Sequence, residues 1–417
     1  MPKRFSHGVA IIGGGAAGLM AAIAAAGEGA EVTLLERGER VGRKLLATGN
    51  GRCNLTNLGA DPSRYHSVGG SEGMALASAV LASAPPAAVL KVFEALGLMW
   101  REEEDGRVYP RSGQASAVLD VLRMACARLN VSVRCGQSAR FLTRGKKGFS
   151  LTLEGGETLR ADRVIVAAGG RAAPRLGGDG GGYALLSSLG HRLTPCYPAL
   201  VQLRCAHPAL PSLKGLRVAA EAALLIDGEI ARTECGEVLF AGDGLSGIAA
   251  LGLAREVAPA LESGRTVTAR LNLLPERDAA VRRALVASRR ELFAQEPAGV
   301  FATGLLPRRI GEALCVAGGA PAGLPCTRLT DAQIEALAAL LADWRFEVTG
   351  TRGFDHAQVT AGGADAREFN PATMESRLVP GLYAAGEVLD VDGDCGGFNL
   401  HFAWASGMIA GRRAGWI

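Results

Sequence analysis

The chain opens on a short apolar run that ends abruptly in glycine. Val9-Ala10-Ile11-Ile12 reads as a buried strand, Gly13-Gly14-Gly15-Ala16-Ala17-Gly18 follows it, and a small-residue helix continues to about Gly29. Glu31-Val32-Thr33-Leu34-Leu35 then forms a second strand that ends in Glu36. A G-x-G-x-x-G between strand and helix restricts the chain to an α/β start that wraps a dinucleotide. Gly13 makes the tight turn, Gly15 lets the backbone approach a pyrophosphate, and Gly18 lets helix and strand pack closely. The N–H groups of Ala16 and Ala17, at the helix N-terminus, face the phosphates. Glu36, 23 positions after the first glycine, accepts hydrogen bonds from the hydroxyls of an adenosine ribose. In a chain with 57 glycines the motif alone says little. Strand, helix and terminal acid in register give it its weight.

Composition narrows the rest. At 417 residues the chain has room for two domains or for one with a large insertion. Lys3 and Arg4 before an apolar run resemble a secretory signal, but three glycines interrupt that run and a second strand follows directly. The 45 basic and 41 acidic residues leave a net charge of +4, too balanced for a nucleic-acid partner. No other stretch approaches 18 uncharged apolar residues at helical spacing, so no membrane partner is expected. Nine cysteines without a C-x-x-C pair point to reduced thiols, a cytoplasmic protein and no metal. No P-loop or H-E-x-x-H occurs, so hydrolase chemistry of those two kinds has no carrier. The expected partner is a small-molecule substrate; the oligomeric state is left open.

Further along, the expected elements are a helical stretch from Gly73 to Leu98, a helix from Gln114 to Leu129, and strands at Val131 to Cys135 and Phe149 to Leu153. Arg163-Val164-Ile165-Val166-Ala167-Ala168-Gly169-Gly170 reads as a buried strand stopped by glycines, and Gly381-Leu382-Tyr383-Ala384-Ala385-Gly386-Glu387 as another. Strands end this way where a cofactor passes, since only glycine leaves room. From 193 to 353 the texture changes. Strands are expected at Val201 to Arg204, Val218 to Ile226, Ile230 to Cys235 and Val267 to Leu273. Helices are expected at Asp278 to Gln295, Leu306 to Val316 and Thr330 to Leu341, with Thr330 as the cap of the last. The resulting expectation is an α/β fold. A discontinuous Rossmann-like domain spans 1–192 and 354–417, with a mainly-β barrel inserted at 193–353 and a small helical cap at about 275–343.

The stretch Gly42-Arg43-Lys44-Leu45-Leu46-Ala47-Thr48-Gly49-Asn50-Gly51-Arg52-Cys53-Asn54-Leu55-Thr56-Asn57 resembles the G-R-K-(I/L)-L-x-(S/T)-G-(G/N)-G-R-C-N-x-T-N signature of the BaiN-like NAD(P)/FAD-dependent oxidoreductases, also grouped as aminoacetone oxidase family FAD-binding enzymes. Thr360-Ala361-Gly362-Gly363, Met374 to Tyr383, Gly386-Glu387-Val388-Leu389-Asp390-Val391-Asp392-Gly393 and Gly396-Gly397-Phe398-Asn399-Leu400 are similar to its closing block. Gly106 to Pro110, Gly236 to Phe240 and Gly244 to Gly247 are similar to internal blocks. The resemblance implies FAD as the resident cofactor, a Rossmann-like FAD domain, a barrel insert and a helical cap. The second glycine-ended strand suits a flavin, whose ribityl chain and ring extend beyond the adenosine site.

On this reading Arg37 covers the adenine, Lys44 approaches the pyrophosphate or adenosine, and the loop from Thr48 to Asn54 runs along the cofactor. Gly51 allows close contact there, while Arg52 and Asn54 supply donors. Ala139 offers backbone hydrogen bonds to adenine, Ala168 and Gly169 close the adenosine half, and Gly386 and Glu387 meet the ribityl and pyrophosphate region. Gly397, Phe398, Asn399 and Leu400 open a helix through about Ala410. Its N-terminus would stabilise negative charge at the flavin N1/C2=O edge. The family usually has Thr and Tyr where this chain has Cys395 and Phe398, and Phe398 removes a hydroxyl from the site. Cys53 and Cys395 are candidates for a redox disulfide, though lone cysteines usually serve as small apolar residues. His401 and His356 are candidate acid–base groups that read more readily as structural, and no catalytic residue is assigned. Two directions stay open: reduction of an activated double bond with NAD(P)H bound transiently, or amine oxidation with O₂. A flavoprotein acting on nucleic acid and a non-catalytic flavin sensor are the alternatives. Gly177 to Gly182 has no clean strand–helix register for a second nucleotide.

Overall fold

The computed structural model describes residues 8–416; Lys3 and Arg4 lie outside them. Gly8–Ile12 (β1), Ala16–Gly27 (α1) and Glu31–Glu36 (β2) follow the opening motif. They belong to a five-stranded parallel sheet with the order Leu382–Ala384, Arg163–Val166, β1, β2, Ser132–Cys135. β1 and Arg163–Val166 are apolar without alternation because both faces of a parallel sheet are covered: Ile11, Val164, Ile165 and Val166 are fully buried. The sheet therefore joins the start of the chain to a strand near its end.

The C-terminal helix, Phe398–Gly415, packs along α1 and runs five residues past the expected end at Ala410. A Cβ on Gly407 would lie 2.4 Å from the Ala17 carbonyl oxygen, on Gly411 2.3 Å from that of Ala21, and on Gly415 2.6 Å from that of Ala25. Three glycines four apart thus put the two helix backbones in contact, parallel and in step.

Some expectations need correction. The stretch from Gly73 to Leu98 is two helices, Gly70–Ser83 and Pro86–Ala95, bent by 51°. Proline at the first position of the second helix gives up only an N–H that would be unpaired there, and it cannot continue the first. Phe149 to Leu153 lies in a three-stranded antiparallel sheet whose outer strands, Ala139–Gly145 and Thr158–Ala161, were not expected. The strand expected at Val201 to Arg204 is Leu203–Ala206. No single helix among the described residues is long and apolar enough to cross a membrane.

The chain divides into two compact units, residues 8–197 with 358–416, and residues 198–357. The second is a closed six-stranded barrel in the order Leu203–Ala206, Gly244–Ser246, Glu229–Ala241, Arg217–Ile226, Val267–Asn272, Trp344–Thr351. Helices Ala279–Leu292, Arg308–Ala317 and Asp331–Leu340 fall between its last two strands in the chain. Thr330 caps the last of them in a reciprocal pair with Gln333. Phe240, Trp344 and Phe346 are buried as one aromatic cluster.

Candidate functional site

At the first helix terminus the glycines are fixed by close approach. Gly13 has φ +109°, and a Cβ there would lie 2.4 Å from the Ala167 oxygen; one on Gly18 would lie 1.8 Å from the Gly13 oxygen. Gly15 is different: nothing stands within 4 Å of a Cβ there. Gly15 is the N-cap of α1, no side chain caps it, and the first turn, which contains Ala16 and Ala17, holds no acid. Backbone donors and the positive end of the helix therefore meet open space, which fits a phosphate. Glu36 accepts from Gly14 N at 2.9 Å and from Gly38 N at 2.7 Å. Its carboxylate is thus held still, with lone pairs left for ribose hydroxyls. Gln137 N and Gly136 N donate to the Glu36 and Gly38 oxygens at 2.9 Å. This brings the segment leading to Ala139 alongside the end of β2.

Arg37 is ion-paired with Asp179. The Asp179 carboxylate also accepts from Gly181 N, so the glycine-rich segment at 177–182 opens the helix Gly181–Ser188 and ties it to the adenosine side.

Lys44 Nζ donates to Glu387 Oε2 at 2.6 Å, and Thr360 N donates to Glu387 Oε1 at 3.0 Å. Thr360 Oγ1 accepts from Arg171 N and Ala172 N at 2.8 and 2.9 Å, just past Ala168 and Gly169. Gly386, at φ +74°, has no room for a Cβ, which would sit 2.8 Å from that of Ala17. Its N–H donates to Ser406 Oγ. Sequence reading assigned no role to Thr360 or Ser406. Thr360 stood inside a quoted block and was a readable signal; Ser406 was not.

The far end is the N-terminus of the C-terminal helix. Gly397 is its N-cap at φ +101°, no side chain caps it, and its first turn holds no acid. A Cβ on Gly397 would lie 2.7 Å from the Thr56 oxygen and 2.8 Å from Asn54 Oδ1. Asn54 Oδ1 is buried without a hydrogen-bond partner, as a site awaiting a donor would be. The 48–57 loop clasps this terminus: Asn57 Nδ2 donates to the Gly396 oxygen at 3.1 Å, Thr56 Oγ1 pairs with His401 Nδ1 at 2.9 Å, and Trp404 Nε1 donates to the Leu55 oxygen. The Asn399 amide holds Gly393 N and O, at 2.8 and 2.7 Å. Leu400 is partly buried. Phe398 is buried edge-on to Tyr65, whose hydroxyl donates to the Phe398 oxygen. The residue without the family hydroxyl is therefore a packing residue here.

One predicted residue turns elsewhere. Arg52 pairs with Glu103 and lies over the Tyr109 ring at 4.0 Å, while Gly51 is exposed, with nothing within 4 Å of a Cβ placed on it. All nine cysteines are thiols. Burial pushes the Cys53 thiol up to about 12, and disulfide exchange requires a thiolate. His401 is fully buried, and burial pushes its imidazole down to about 4. His356 is exposed, in the barrel unit.

The two helix termini are offset. Gly407 meets Ala17, so the nine residues back to Phe398 carry the second terminus roughly 14 Å beyond the first, at 1.5 Å per residue. One ligand touching both must be long, anionic at one end and hydrogen-bonding at the other.

A family model, the HI0933-like protein Rossmann domain, matches residues 7–413. The 3-dehydro-bile acid delta(4,6)-reductase of Clostridium scindens is 40% identical over 408 residues, 97% of this chain and 98% of the relative. The ribosomal RNA dihydrouridine synthase of Escherichia coli is 32% identical over 398 residues, 95% of each chain. Among solved structures, 3-ketosteroid delta1-dehydrogenase from Sterolibacterium denitrificans has a TM-score of 0.50 at 13% identity, covering 98% of this chain and 99% of that one. That likeness is one of fold.

Proposed function

Since the chain belongs to the HI0933-like family, we propose that it is an FAD-dependent reductase that adds hydrogen across a conjugated C=C bond of a steroid-like ring ketone, with NAD(P)H as transient electron donor. The observation that carries this reading is the 40% identity, over nearly the whole of both chains, to a bile-acid delta(4,6)-reductase. The dihydrouridine synthase relative supports the reductive direction over amine oxidation, because making a dihydrouridine also adds hydrogen across a ring double bond.

The residues present fit FAD. The first turn of α1 takes the pyrophosphate, Glu36 the adenosine ribose, and the segment before Ala139 the adenine edge, with the Arg37–Asp179 pair beside it. The Lys44–Glu387 pair, next to Gly386 and its contact with Ala17, would face the ribityl and pyrophosphate region. The N-terminus at Gly397 and the Asn54 amide would hold the ring, and flavin, when bound, would supply the hydride. The uncapped helix terminus would favour negative charge at that end of the site.

Ribosomal RNA is the second reading, favoured by the 32% relative; the near-balanced charge favours the small substrate. The test is anaerobic. NADPH or NADH is expected to bleach the yellow protein, and a 3-oxo-4,6-diene bile acid to restore the colour. Failure of both nicotinamides refutes the electron donor. Reoxidation by a uridine-containing rRNA fragment and not by the steroid selects the second reading.

A further inference from the structure

Reducing a conjugated double bond needs a proton as well as a hydride, and the proposed function leaves its donor unassigned. Resting on that reading, we propose that His66, oriented by Asp394, gives the substrate this proton.

Position comes first. The short strand Tyr65–His66 pairs antiparallel with Asp392–Gly393, and Asp392 stands opposite His66. The second strand runs directly into Asp394, Cys395, Gly396 and the helix N-terminus assigned to the flavin ring. Several bonds fasten the two together: Asp394 N donates to the Arg64 oxygen at 2.9 Å, Asn399 Nδ2 to the Gly393 and Asp394 oxygens, and Tyr65 Oη to the Phe398 oxygen. His66 is thus anchored at the ring end of the site, away from the phosphate end.

Chemistry comes second. His66 Nε2 lies 2.8 Å from Asp394 Oδ1, and the two side chains are 26% and 14% exposed. A carboxylate on one ring nitrogen sets the orientation of the imidazole, and the partial exposure leaves the ring open to proton exchange with solvent. Charged groups near the ring include Asp394, whose Oδ2 lies 3.6 Å from Arg64, and Asp392 stands opposite His66 in the strand pair. The other described imidazoles of this unit are sealed. His401 is fully buried on Thr56, and His191 is held between Glu368 and Ser376 and stacked on Phe369.

The step balances. Both electrons arrive with the hydride at one carbon and the π bond breaks. An imidazolium N–H bond of His66 breaks as a C–H bond forms at the other carbon, and the neutral imidazole is reprotonated by water.

The test compares wild type, His66→Gln and Asp394→Asn as holoproteins reduced anaerobically with NADPH, or with dithionite if NADPH fails. Reoxidation by a 3-oxo-4,6-diene bile acid is set against reoxidation by ferricyanide, which takes electrons without a carbon-bound proton. His66→Gln is expected to slow the steroid reaction on the order of a hundredfold and Asp394→Asn about tenfold. FAD content, ferricyanide rate and steroid binding to the oxidised protein, read from flavin absorbance, are expected to stay unchanged. In ¹⁵N-histidine spectra the His66 ring signal should move in Asp394→Asn. Wild-type steroid rates in the variants, an unmoved signal, or a binding loss equal to the rate loss would each overturn the proposal. If His66→Gln does not fold, Asp394→Asn decides alone. A wild type that the steroid cannot reoxidise refutes the functional reading itself, and this inference with it.

Discussion

Single residues show how tightly the site is built into the core. His401 is fully buried and its imidazole sits at about 4, against an ordinary value of about 6.5. Above pH 6.5 the ring is neutral both folded and unfolded, so it adds no pH dependence. As pH falls from 6.5 to 4 the unfolded chain takes up a proton that the folded chain refuses, and stability is lost through that window. The shift corresponds to about 3 kcal/mol. Urea unfolding at several pH values should therefore show wild type losing about 3 kcal/mol more than His401→Gln between pH 6.5 and 4; equal losses would contradict it. Residue-level legibility followed range along the chain. The roles of Gly13 and Gly18 are local, and sequence spacing alone exposes them. The Lys44–Glu387 pair, the Thr56–His401 bond and the His66–Asp394 pair join residues from opposite ends of the chain, and nothing in local spacing marks who meets whom.

Among elements, the pairing of α1 with the C-terminal helix sets where both N-termini point. Its cause is steric: Gly407, Gly411 and Gly415 leave no room for a Cβ against α1 carbonyls. Backbone oxygens cannot swing aside as side chains do, so Gly411→Ala must push the helices apart. Alanine gains about 1 kcal/mol of helix propensity, while overpacking costs about 1–3 kcal/mol or more. With the Cβ only 2.3 Å from the Ala21 oxygen, the clash wins. Chemical denaturation should show a loss of about 2 kcal/mol for Gly411→Ala. Gly27→Ala, at the end of α1 with nothing within 4 Å, should gain about 0.5–1 kcal/mol. Loss at both positions would mean that glycine is retained there for another reason. This i, i+4, i+8 stripe was present in the sequence and went unread, because the same helix looked like plain apolar packing. β1, α1 and β2 were legible because their periodicities switch sharply at glycine. The break at Pro85 and Pro86 was readable too, but continuous apolar content hid it. The edge strand Ala139–Gly145 was not readable: its exposed, basic residues carry no alternating apolar pattern, and pairing with Gly148–Leu153 defines it.

For the whole molecule, every residue assigned to FAD, from Gly13 to Leu400, falls in residues 8–197 and 358–416. That unit should therefore hold the cofactor without the barrel. The connections permit the experiment. In the first unit Thr194 N donates to the Gly363 oxygen at 2.8 Å and Gly363 N to Thr194 Oγ1 at 3.0 Å, so the outgoing and returning chains already lie side by side. In the barrel unit Leu203 pairs with Thr351, and Arg352 N donates to the Gln202 oxygen at 3.0 Å, so its ends are equally close. Replacing residues 198–357 by a short Gly/Ser linker asks the first unit to close only a small loop, whose entropic cost grows slowly with length. The linked protein should remain yellow with one FAD per chain. Residues 198–357 alone should unfold cooperatively and be colourless. FAD at a hundred times its Kd should add about 2.7 kcal/mol to the linked protein and nothing to the barrel. A linked protein with native far-UV circular dichroism that cannot retain FAD would show that the barrel supplies part of the cofactor site, and the assignment of FAD to the Rossmann-like unit alone would fail.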